Sequence, residues 1–217
     1  NANMCVFAKS WGWKSFAVKL EILRSLMMWT DVIVIDPENE YRALVETVWW
    51  SYLDVSLNSR ERINPFDLPL ALKDKDVKPW DLLRESIINL LGLMNLMLWK
   101  MSPLEESIME KAIITTYNLK WITLEDDNVE WKEIPTMIDL YSVLETMDWS
   151  NELCSRIEKY TTWIFSWLFS QKTNVSLWEW LQVFSVRDLD DMLRPTAMYI
   201  ILSHIWNKVR SSNKKRI

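Results

Sequence analysis

The stretch VFAKSWGWKSFAVKLEILRSL, Val6 to Leu26, decides how this chain is read. A short apolar run, Met4 to Ala8, enters a polar turn and has the composition of a buried strand. From Lys14 the pattern turns helical, with Phe16, Leu20, Leu23 and Met27 on one face. Between the two stand Ala8, Lys9, Ser10, Trp11, Gly12, Trp13, Lys14 and Ser15. This is the order of a phosphate-binding loop: alanine or glycine, four variable residues, glycine, lysine, then serine or threonine. Trp13, however, fills the glycine place. The chemistry needs backbone N–H groups curled around an anion at a helix N-terminus, where the helix dipole and the free donors attract negative charge. Lys14 would bind phosphate and act in catalysis, and the Ser15 hydroxyl would ligate a metal ion. Ser10, Trp11, Gly12, Trp13, Lys14, Ser15 and Phe16 are therefore the expected nucleotide-binding positions. The two indoles oppose that geometry, because the loop's glycines let backbone approach phosphate.

The tryptophans are abnormal along the whole chain. The 217 residues include two glycines and fifteen tryptophans, although glycine normally makes up about 7% of a protein. Trp29 separates a helical pattern from a strand pattern, Trp49 and Trp50 end another helix, and Trp121, Trp131 and Trp149 lie in polar connections. These are turn and helix-end positions, where a left-handed backbone favours glycine and tryptophan gains nothing. Only Trp206, in ILSHIWNKVR, reads as an ordinary helix-face aromatic. Most of the other fourteen are read as standing at glycine sites. That reading predicts positive φ or poorly packed side chains at Trp11, Trp29, Trp49, Trp121 and Trp149.

The rest of the composition is that of one globular domain. Hydrophobic residues make up 49% and charged residues 25%, which excludes disorder, and the net charge of −5 gives no general basic signal for nucleic acid. Cys5 and Cys154 are far apart in sequence with no metal-ligand spacing, and His204 is the one histidine, expected to pack rather than to ligate. The first residues lack the pattern of a signal peptide. The most apolar run, Ile87 to Trp99, is too short to span a bilayer and reads as a buried or amphipathic helix.

DVIVID, Asp31 to Asp36, is a β-branched strand, followed by a helical ENEYRALVETV and a further strand in SYLDVSL. Alternation of this kind predicts a parallel, doubly wound α/β sheet. Asp36 and Glu40 lie at the carboxyl end of that strand, where ligands bind in open α/β sheets, and could position metal or water. Equally, Asp36 caps the next helix and Glu40 is a solvated first-turn acid. INPFDLPL, Ile63 to Leu70, reads as an ordered loop. Helical segments follow over Asp81–Leu98, Pro103–Leu119, Pro135–Thr146 and Asn151–Thr161, then a strand over Leu181–Val186 and a long helix with proline near its start. The chain is thus expected to be one domain over 1–217 with an all-helical insertion over 81–160.

Taken together, AKSWGWKSFAVKLE, DVIVIDPENEY, INPFDL and VFSVRDLDDMLRPTAMYIILSHIWNKVR resemble the cytoplasmic ATPases of bacterial conjugation and type IV secretion, the VirB/TrsE-type branch of the HerA–FtsK motor superfamily. The resemblance covers nearly the whole chain, and that family has glycine where Trp11, Trp13, Trp49 and Trp50 stand here. It implies a RecA-like P-loop NTPase core, ATP and Mg²⁺ as cofactors, and Asp36 as a metal-side acid with Glu40 catalytic. It further implies oligomers with nucleotide between subunits, work at the inner face of the bacterial membrane, and partners among secretion components, including the coupling ATPase and inner-membrane proteins. The family's Walker B acids would follow Ile217. A contrasting reading is a nucleotide-dead interaction domain that keeps the fold. A direct DNA-binding role has less support, since the chain is acidic and lacks aromatic–basic clusters.

Overall fold

A computed structural model describes residues 4–9, 13–48, 51–55, 60–69, 79–123, 132–161, 166, 170–175 and 180–210, with the side chains of 79, 80 and 210 excepted. The chain divides into two compact units: residues 1–55, 176–188 and 214–217 form one, and 56–175 with 189–213 the other.

The first unit is a three-stranded, all-parallel sheet with helices. Helix α1 covers Lys14–Met27, β1 Val32–Asp36, α2 Arg42–Val48, β2 Ser51–Asp54 and β3 Leu181–Ser185. The strands lie in the order β1-β3-β2, with Val32 opposite Leu181, Asp36 opposite Ser185, and Asp54 also opposite Ser185. All three carboxyl ends are therefore level. β3 is buried at every position, as expected for a central strand covered on both faces. Ile22, Val32, Val45, Leu181 and Val183 form the core, with Val18, Leu26, Leu44 and Val48 packed against them.

Two sequence expectations fail in this unit. Met4 to Ala8 is not a strand: it pairs with no strand among the described residues, and Met4 and Phe7 are 74% and 91% exposed. A strand needs hydrogen-bonded neighbours as well as apolar residues. The buried face of α1 is also not the expected one. Val18, Ile22 and Leu26 turn inward, while Phe16, Leu20 and Met27 face outward. The helix carries two apolar stripes at the same spacing, and periodicity alone does not choose between them.

The second unit is helical among its described residues: α3 Pro79–Met97, α4 Pro103–Leu119, α5 Met137–Glu145, α6 Asn151–Thr161 and α7 Arg194–Arg210. Local signals account for the starts. Ser102 and Glu105 form a reciprocal capping box ahead of α4, with proline at the first turn, and Asp139 reaches back to the Thr136 N–H ahead of α5. The apolar run expected to be a buried helix lies in α3, where Leu90, Leu93, Met94 and Met97 are buried. Arg156 of α6 donates to the carbonyls of Leu98 and Lys100 at the end of α3 and pairs with Glu105 at 2.5 Å. The loop Ile63–Pro69 is ordered by its own polar groups. Asn64 donates from its N–H to Thr173 at 2.6 Å and from its side chain to the Pro135 carbonyl at 2.8 Å, while Tyr117 donates to the Phe66 carbonyl at 2.9 Å.

The helix ends, and the turn between α5 and α6, carry the anomaly in composition. Trp29, Trp99, Trp121 and Trp149 have φ of 59°, 52°, 60° and 65°. For a bulky residue this is a genuine outlier, at a cost of about 1–2 kcal/mol each. Trp29 and Trp121 close Schellman motifs. The N–H of Trp29 donates to Leu26 and that of Thr30 to Ser25, and the N–H of Trp121 donates to Asn118 and that of Ile122 to Tyr117. Beyond Trp99, Lys100 makes the corresponding longer bond to Asn95. Trp11 and Trp49 lie outside the described residues, as do Trp50 and Trp131.

Candidate functional site

The candidate site is where the start of α1 meets the carboxyl end of β1. α1 opens without a side-chain cap and without an acidic residue in its first turn. The capping boxes before α4 and α5 show how this chain satisfies orphan N–H groups where nothing else must bind them. An uncapped N-terminus keeps its donors and its dipole for an anion. Lys14 is exposed and Ser15 half-buried at this start.

Ser15 donates its hydroxyl proton to the Glu40 carboxylate, across twenty-five residues of sequence. That contact joins the first turn of α1 to the loop after β1. The loop is held by Asp36, which is 1% exposed and accepts from the backbone N–H of Glu40 at 3.1 Å and of Tyr41 at 2.9 Å. Asp36 thus ties down the loop between β1 and α2 from the end of the strand, ahead of the first residue of α2, Arg42, and in doing so it presents Glu40 toward Ser15. Asp36 holds the loop, and Glu40 faces the helix start.

Arg187, just after β3, reaches the Glu38 carbonyl at 3.4 Å, which adds a cation to the same edge of the sheet. Sequence reasoning did not single it out; its place two residues beyond a buried strand, at the ligand-binding edge, is the signal that was there. Burial, with the charges of Glu40 and then Asp36, raises the Tyr41 phenol above its ordinary range.

Of the expected site residues, Lys14, Ser15, Asp36 and Glu40 gather at this edge, while Ser10, Trp11 and Gly12 lie outside the described residues. Phe16 is 58% exposed and packs edge-on against the Trp13 indole, with ring centroids 5.6 Å apart. Trp13 immediately precedes α1 and is 79% exposed. The lysine, hydroxyl and carboxylates suit a nucleotide with a divalent cation; the indole at the mouth of the helix does not. Among the described residues no cluster of histidine, cysteine and acids has the make-up of a stand-alone metal site.

The fold has a solved counterpart. Over 90% of this chain and 75% of the other, at 25% identity and a TM-score of 0.77, it superposes on VirB4 of Thermoanaerobacter pseudethanolicus. The fold is similar to that of VirB4. No protein-family model matches the sequence, and no curated protein matches it. The architecture is accordingly α/β, a small parallel sheet with helices, of the kind found in VirB4. None of the described helices is long and apolar enough to cross a membrane.

Proposed function

We propose that this chain is a VirB4-like ATPase domain of a type IV secretion or conjugative transfer system, and that the start of α1 is its nucleotide site. The observation that carries the reading is the uncapped N-terminus of α1, with Ser15 hydrogen-bonded to Glu40 at the carboxyl end of β1. The likeness to VirB4 supports it. In this reading ATP with Mg²⁺ supplies the transferable phosphoryl group and its charge-neutralising cation. Lys14 would hold phosphate charge, the Ser15 oxygen would face the cation with its hydroxyl proton hydrogen-bonded to Glu40, and Glu40 would position water. Asp36 sets the metal-side edge by fixing the loop from its buried end. The domain works as part of an oligomer on the cytoplasmic side of the membrane, with other secretion components as partners, and residues 81–160 are its helical insertion.

Trp13 supports a second reading, a domain that keeps the fold and binds no nucleotide. Calorimetric titration with ATP–Mg²⁺ separates the two. The variant carrying Trp11→Gly and Trp13→Gly is expected to bind saturably, and adding Lys14→Ala is expected to abolish binding with the unfolding midpoint unchanged. If the double-glycine variant is folded and shows no saturable binding at millimolar nucleotide, the ATPase reading fails and the interaction domain stands.

A further inference from the structure

We infer that the codon rendered as tryptophan at fourteen positions of this chain is decoded as glycine in the cell that makes it, and that Trp206 alone is a native tryptophan. Four of the six non-glycine residues with positive φ among the described residues are tryptophans. The others are Asn39, of a type that tolerates this conformation, and Lys100, next to Trp99.

The side chains agree with the backbone. Tryptophan is on average one of the more buried residues, yet Trp29, Trp99, Trp121 and Trp149 are 77%, 74%, 80% and 85% exposed. Among the tryptophans whose side chains are described, none is buried. A tryptophan kept for binding would belong to a site; Trp29, Trp99 and Trp121 stand at helix ends and Trp149 in the turn between α5 and α6, while Trp29 meets Trp180, another of the fourteen, at 5.1 Å between ring centroids. Two of them close Schellman motifs, whose C′ residue is usually glycine. Trp206 differs in kind, since it sits inside α7, away from any turn.

Scattered point mutations do not select one residue type at left-handed positions throughout a chain; a shared codon does. UGG means tryptophan, whereas UGA is tryptophan in one variant genetic code and glycine in another. A gene that writes glycine mostly as UGA, rendered in the first code, yields this sequence: two surviving glycines, Gly12 and Gly92, and tryptophan at the left-handed positions 29, 99, 121 and 149. With the second code, residues 8–15 read alanine, lysine, serine, three glycines, lysine, serine. The loop then has the backbone freedom that phosphate contact requires.

This inference does not rest on the ATPase reading, since it concerns which residues are incorporated and holds whether or not nucleotide binds. The test is tandem mass spectrometry of the protein purified from its own cells, together with the codons of its gene. Peptides covering positions 29, 99, 121 and 149 are expected to carry glycine, each lighter by the difference between the two residues, and the peptide covering position 206 to carry tryptophan. The gene is expected to have UGA at the fourteen positions and UGG at position 206. Tryptophan in the peptides at positions 29, 99, 121 and 149, or UGG at those codons, overturns it.

Discussion

At the scale of the residue, the same side chain has opposite consequences in two settings. Trp121 holds a left-handed backbone at the end of α4 with its indole in solvent, whereas Trp206 lies within α7, four residues before its end. Replacing Trp121 by glycine removes the clash of its Cβ and loses almost no packing. Part of that gain is offset by the greater freedom of glycine in the unfolded chain. Trp121→Gly is expected to stabilise the protein by about 1 kcal/mol, whereas Trp206→Gly places glycine in a helix interior and is expected to cost about 1 kcal/mol. Urea unfolding of the two variants checks both signs. A lower midpoint for Trp121→Gly would show that the indole makes contacts its exposure does not reveal. This contrast was legible in the sequence, because turn chemistry marks a glycine position whatever residue occupies it. Trp99 was not marked, because it ends an apolar run that reads as continuous helix.

At the scale of the element, α1 shows where reading from periodicity stops. Residues 16, 20, 23 and 27 and residues 18, 22 and 26 are both apolar at helical spacing, and only the sheet decides which stripe is covered. Ile22 is 6% exposed against β1 and β3, while Met27 is 79% exposed on the other side. Ile22→Ala is therefore expected to cost about 2–5 kcal/mol, and Met27→Ala less than about 0.5 kcal/mol. Thermal unfolding monitored by circular dichroism measures the difference; equal losses would mean that the outer stripe is covered as well. The strand expected at Met4 to Ala8 fails for a related reason, since apolar composition does not supply a pairing partner. The edge at α1 and β1 was better marked. A lysine and a serine opening a helix, and two acids ending a strand, are local signals that the parallel register brings together. The bond between Ser15 and Glu40 depends on how the chain folds back, so no local window contained it.

At the scale of the whole molecule, one part of the pH dependence of stability comes from two buried groups that line one small cavity in the helical unit. Asp67 and His204 both face it, with Asn64, Ser86, Asn89 and Tyr199 among the other residues of its wall. Burial pushes the Asp67 carboxyl up to about 6, against which the hydrogen bond from Thr173 acts only in part. Burial, with a smaller push from Lys208, lowers the His204 imidazole to about 4, and its Nε2 is buried without a hydrogen-bond partner. The signs are opposite. A carboxyl that holds its proton more tightly when folded makes the protein less stable as pH rises from about 4 through about 6. An imidazole that holds its proton less tightly when folded contributes stability that is complete above about 6.5 and is lost as pH falls toward about 4. Over this shared window the two slopes oppose each other, and the unaltered protein is expected to show a nearly flat stability profile from these groups. Asp67→Asn leaves the histidine slope alone, so that variant is expected to lose up to about 3 kcal/mol as pH falls from 6.5 to 4. His204→Gln leaves the carboxyl slope, so its stability is expected to fall by a similar amount as pH rises across the same range. Urea midpoints of the three proteins at pH 4, 5, 6 and 7 test this. If the two variants slope in the same direction, burial does not govern both groups, and the cavity is wetter than its lining implies.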